Sequence, residues 1–124
     1  MTSKLVDDKG RHLTIRRGTS PSHTFAITVE GTTQPKNLTG ATEVTLAIAS
    51  SREATTRDLT LTLDGGVSHT GTGGVVTVTL TDAQTEGLAA RKMGWAELWI
   101  TDAAGRRDLV AEGRCEVLDT LITL

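Results

Sequence analysis

Apolar residues recur at every second position in stretch after stretch of this 124-residue chain. That period is the one required by a strand with a single buried face. Leu13 and Ile15 alternate with Thr14 and Arg16, Phe25, Ile27 and Val29 with Ala26 and Thr28, and Val44, Leu46 and Ile48 with Thr45 and Ala47. Leu59, Leu61 and Leu63 follow, then Val76, Val78 and Leu80, then Ala96, Leu98 and Ile100. The last stretch is Leu109, Ala111, Gly113, Cys115 and Val117, where the intervening Glu112, Arg114 and Glu116 mark a wet outer face. Turn-forming residues separate the stretches: Gly18 to Pro21, Gly31 to Pro35, Gly65-Gly66, Gly71 to Gly74 and Asp102 to Gly105. The Asp102 to Gly105 turn predicts a hairpin, which makes the last two strands antiparallel neighbours. One interval has helical character. Thr81-Asp82-Ala83-Gln84 offers a capping box, and the segment to Lys92 extends it, so a short helix is predicted near 82–91.

About seven short strands with Gly-rich turns predict an all-β fold, an antiparallel immunoglobulin-like β-sandwich over 11–118. A polar arm at 1–10 and an apolar tail at 119–124 flank it. Thr makes up about a fifth of the chain, and its β-branched side chain favours the same fold class. A hydrophobic content of 37% fills one core, not two. The Cys-Trp-Cys pattern of antibody domains is absent, and the single Cys115 excludes an internal disulfide, which suits a reducing compartment. With 13 Lys plus Arg against 15 Asp plus Glu, the net charge of −2 argues against a general nucleic-acid binder. No apolar run reaches the roughly 20 residues of a membrane helix, and Met1 to Asp8 lacks the apolar stretch of a secretory signal, so the expectation is no membrane partner and synthesis in the cytoplasm.

The raw materials of catalysis are thin. His12, His23 and His69 stand in no metal-ligand spacing. Ser20, Ser22 and His23 lack a nucleophile elbow, and Asp7-Asp8, like Asp82 with Glu86, lack a calcium-loop pattern. The loop from Gly65 to Gly74 lacks the Lys-Ser/Thr ending of a phosphate cradle. The expectation is therefore no enzyme, no cofactor and no metal. Cys115 falls on the inward parity of its strand, where a thiol behaves as a small apolar residue. Trp95 and Trp99 share the face opposite Ala96, Leu98 and Ile100, so either the chain covers them as a satellite cluster or they anchor a partner. The same choice holds for Leu118, Leu121, Ile122 and Leu124 at the apolar end.

Three stretches together resemble a known group. They are Ile15-Arg16-Arg17-Gly18-Thr19-Ser20, Asn37-Leu38-Thr39-Gly40-Ala41-Thr42, and Gly73-Gly74-Val75-Val76 through Leu80-Thr81 to Gly94-Trp95-Ala96. They look like the immunoglobulin-like virion domains of tailed bacteriophages, nearest to the N-terminal domain of the baseplate upper proteins. In that family an Arg-Gly corner ends the first strand, and an Asp-Leu-Thr-Gly-Ala turn opens a central one. Asn37 stands here for the Asp and can form the same Asx-turn. Gly18, Asn37, Gly40, Asp102 and Gly105 are the expected turn-fixing residues. The resemblance implies a non-enzymatic structural component of the virion, assembled in the bacterial cytoplasm. It would dock in tail, baseplate, neck or head surface against other virion proteins, as a homo-oligomer. The alternative class is a carbohydrate- or host-surface-binding module acting through the loop around His69 and Thr70.

Overall fold

Alternation becomes strand wherever a neighbouring backbone can pair with it. The computed structural model describes residues 3–6, 10–29 and 32–119. In chain order the elements are β1 (Ser3–Lys4), β2 (Leu13–Arg16), β3 (Ser22–Ala26), β4 (Glu43–Ala49), β5 (Leu59–Leu63) and β6 (Gly66–His69). They are followed by β7 (Val75–Thr79), α1 (Asp82–Glu86), β8 (Arg91–Thr101) and β9 (Arg107–Leu118). The fold is all-β, a mixed and nearly closed sheet running β1-β9-β8-β4-β5-β6-β7-β3, with β2 also paired to β9. At the open seam, β2 and β3 flank a cleft of about 330 Å³ lined by Arg11, His12, Leu13, Thr14, His23 and Phe25.

The inward residues of the alternating stretches make one core. Phe25, Ile27, Val44, Leu46, Leu61, Val76, Val78, Leu80, Ala96 and Leu98 are all at most 2% exposed. Burying each of the larger side chains contributes about 2 kcal/mol. α1 closes the β7–β8 crossover through the capping box, in which Thr81 Oγ1 accepts from Gln84 N and Gln84 Oε1 accepts from Thr81 N. Thr85 is fully buried, and its hydroxyl donates to Thr19 O at 2.6 Å.

Several expectations are corrected. The sheet is mixed, not antiparallel throughout: β1 and β2 run parallel to β9, and β5 parallel to β6 at the Asp64–Gly65 corner. Nine strands form, because β1 and β6 are added by pairing alone. β1 draws on the segment read as a polar arm, 1–10, and places Leu5 fully in the core. The helix ends at Glu86 and does not reach 91, since Arg91 already pairs with Val117 and the extended β9 captures this stretch for β8. Val29 does not continue the inward face of β3. The strand stops at Ala26, and Val29 is 41% exposed. Leu109 is not inward either. A β-bulge opposite Leu98–Trp99 inserts an extra residue in β9, which turns Val110 into the core and Leu109 outward beside Trp99.

Gly74 locks the region next to the sheet end. With φ +68, and with a Cβ destined to lie 2.7 Å from Ile27 O and 2.9 Å from Lys36 N, the position admits only glycine. Its carbonyl accepts from Ile27 N at 2.8 Å, while Ile27 O accepts from Lys36 N at 2.8 Å. This clip sets the course of residues 36–41.

Candidate functional site

The outer face of β9-β8-β4 is where the chain spends apolar and charged side chains together. Trp95, Glu97 and Trp99 project from β8 on the side opposite the core, and all three are half-buried. Their cross-strand neighbours are Ala49, Ala47 and Thr45 on β4, and Arg114, Glu112 and Leu109 on β9. The Arg52 guanidinium lies over the Trp95 ring, 5.2 Å from its centroid, and its Nη2 is 3.3 Å from Glu112 Oε1. The indole is thus clamped by a cation that a carboxylate holds in place. Trp95 Nε1 is buried and has no hydrogen-bond partner among the described residues. Trp99 Nε1 donates to Glu97 Oε1 at 3.1 Å, which fixes its ring.

Beside Trp99 opens a cleft of about 260 Å³ lined by Glu43, Thr45, Arg57, Thr101 and Arg107. Glu43 Oε1 is committed to the backbone, accepting from Leu63 N at 2.8 Å and Val44 N at 3.1 Å. Arg57 and Arg107 are both exposed. Sequence reasoning placed Trp95 and Trp99 on this face but missed Arg52, Arg57, Arg107 and Leu109. Arg52 and Arg57 come from the β4–β5 connection, which has no period to read, Arg107 only opens β9, and Leu109 needs the bulge.

The expected turn-fixing residues fall in two places. Asn37, Gly40 and Asp102 line a cleft of about 390 Å³ between two loops, with Lys36, Arg106 and Asp108. Asn37 Oδ1 accepts from Thr39 N at 2.9 Å, and Asp102 Oδ1 accepts from Ala104 N and Arg106 N, each at 2.9 Å. Gly40 and Gly105 take φ of 87° and 83° in these turns. Gly18, at φ 78°, sits apart from them, beside Glu86 of α1. There Arg17 Nη1 donates to Asp119 Oδ1 at 2.6 Å and Nη2 to Glu86 O at 3.0 Å. The bond to Asp119 raises the Arg17 pKa, so one guanidinium ties α1 to the end of β9. Leu118 is half-buried at that end, paired with Arg16. Leu121, Ile122 and Leu124 lie outside the described residues.

The histidines are dispersed. His12 Nε2 is 3.3 Å from Glu116 Oε1, His23 stacks on Phe25 with centroids 6.4 Å apart, and His69 Nδ1 accepts from Gly71 N at 3.0 Å. The loop around His69 thus uses that nitrogen to hold its own turn. Cys115 is fully buried, and burial pushes its thiol up to about 12. Among the described residues no three His, Cys, Asp or Glu side chains gather as metal ligands, and no helix is long and apolar enough to cross a membrane. No protein-family model matches the chain, and no curated protein matches it.

Proposed function

We propose that this chain is a non-enzymatic structural component of a tailed-phage particle, docking on neighbouring virion proteins through the outer face of β9-β8-β4. The observation that carries the reading is that face itself. It holds both tryptophans of the chain, half-buried and oriented by Arg52 and Glu97, within a mosaic of charges. Trp and Arg are the side chains most enriched where proteins anchor to one another. A role in docking, not turnover, also suits the scattered histidines.

The finer fold reading goes with it, an immunoglobulin-like sandwich. Strand order supports it: β9-β8-β4-β5 follows the G-F-C-C′ order of a variable-type domain, and β6-β7-β3 follows D-E-B. The resemblance of the Arg17-Gly18 corner and the Asn37 to Thr42 turn to the phage domains supports the virion setting.

Copurification tests the function. Phage particles produced from the genome that encodes the chain, banded on a density gradient, are expected to contain it in fixed ratio to their other proteins. Its absence from banded particles overturns the reading. Light scattering of the purified chain then separates a homo-oligomer, seen as a discrete multiple of 13.1 kDa, from a subunit that assembles only on the particle.

A further inference from the structure

We infer that the cleft beside Trp99 is an anion pocket that receives an acidic side chain from a partner protein. The inference rests on the docking reading above and adds the chemistry of what docks. Three observations carry it. Arg57 and Arg107 line a cleft whose one carboxylate among the described residues, Glu43, is already accepting from two backbone N–H groups. Neither arginine has an ion pair or hydrogen bond among the described residues, whereas Arg17, Arg52 and Arg114 each face a carboxylate. The lining also includes the Trp99 indole, whose orientation is set by Glu97, and the hydroxyl-bearing Thr45 and Thr101.

Guanidiniums present forked donors that match a carboxylate, and an indole gives the aliphatic stem of an acidic residue an apolar surface. The volume of about 260 Å³ is ample for one such side chain. The neighbouring part of the face carries both signs, with Glu97 next to Trp99 and Glu112 beside Arg52, and would repel a uniform polyanion. A protein segment that places one carboxylate over the cleft and other groups over the rest matches it.

Trp99 itself reports occupancy. In a Trp95→Phe background it is the sole tryptophan, and its emission is followed while an acetylated, amidated Gly-Glu-Gly peptide is added at low ionic strength, up to about 20 mM given the weak affinity of a single anchor. The expected result is a saturable change with this peptide, none with the Gly-Gln-Gly control, and binding weakened about tenfold in Arg57→Gln/Arg107→Gln. Equal responses to both peptides, no response, or a response untouched by the double substitution each overturn the inference. Stronger binding of glucuronate than of the peptide overturns the assignment to a protein segment. The two readings fail separately. If the chain is missing from particles while Trp99 still answers to the Glu peptide, only the docking role falls. If Trp95→Ala removes the chain from particles while Arg57→Gln/Arg107→Gln leaves both occupancy and the peptide response unchanged, only the pocket falls.

Discussion

The two faces of β8 are built by opposite rules. Inward, Ala96 and Leu98 are wholly buried and Ile100 is 7% exposed. A Cβ on Gly94 would come within 2.5 Å of Cys115 O, so the backbone of β9 sits hard against it. Outward, Trp95 and Trp99 are larger than anything on the inner side, yet both remain half-buried and are held by charged neighbours instead of by packing alone. The inner face has its partners and specifies the fold. The outer face leaves its two indoles partly covered and sets their positions with charged neighbours.

The inner face is accordingly intolerant of lost volume. Leu98→Ala leaves a void between β4 and β9 and is expected to cost about 4 kcal/mol, read as a drop in the urea midpoint at unchanged slope. A loss under about 1 kcal/mol would erase the contrast between the faces.

Cys115 probes the same side by pH. A solvated thiol titrates near 9.0, and in the fold desolvation pushes Cys115 up to about 12. Below pH 9 it is protonated in both states and titration changes nothing. Above 9 the unfolded chain releases its proton while the folded chain keeps it, so stability falls by up to about 1.4 kcal/mol per pH unit until the folded thiol titrates. Compared with Cys115→Ala, the native chain is expected to lose an extra ~2 kcal/mol at pH 10.5. Parallel curves for the two proteins would mean that the inner face admits water at that point.

On the outer face the effects shrink. Trp95→Ala gives up the contact with Arg52 and part of the apolar surface, about 1–2 kcal/mol. Trp95→Phe is expected within about 0.5 kcal/mol of the native chain, because it retains a ring under Arg52 and removes a buried N–H that has no partner among the described residues. Thermal melts of the two variants distinguish ring area from the indole nitrogen.

How much of this was legible depends on where the information lies. Seven strands were readable because their side chains alternate, and the capping box from Thr81 to Gln84 was readable because it is a local pattern of donors and acceptors. β6 was not, since only Val67 among Gly66, Val67, Ser68 and His69 is buried and the strand exists through its register with β7. β1 is a two-residue strand with no period at all. The bulge that exchanges Leu109 for Val110 depends on the fit of β9 to β8, and neither sequence alone marks it. The same limit applies to the site. Two tryptophans on one parity could be seen in advance, but the arginines that flank them come from segments brought in by the fold.

The smallest expected effect is also the one that bears most directly on how the outer face is held. Arg52 is 65% exposed along its side chain and Glu112 19%, so their 3.3 Å contact is largely solvated. A double-mutant cycle with Arg52→Ala and Glu112→Ala is expected to give a coupling of about 0.5 kcal/mol that fades in 1 M salt. Repeating the cycle in Trp95→Ala asks whether the indole contributes to that coupling. Without the ring to lie on, the guanidinium regains its rotamer freedom, and the coupling should fall toward zero. An unchanged coupling would mean that Arg52 and Glu112 pair independently of Trp95. The outer face would then be a set of separate contacts, not one coupled surface.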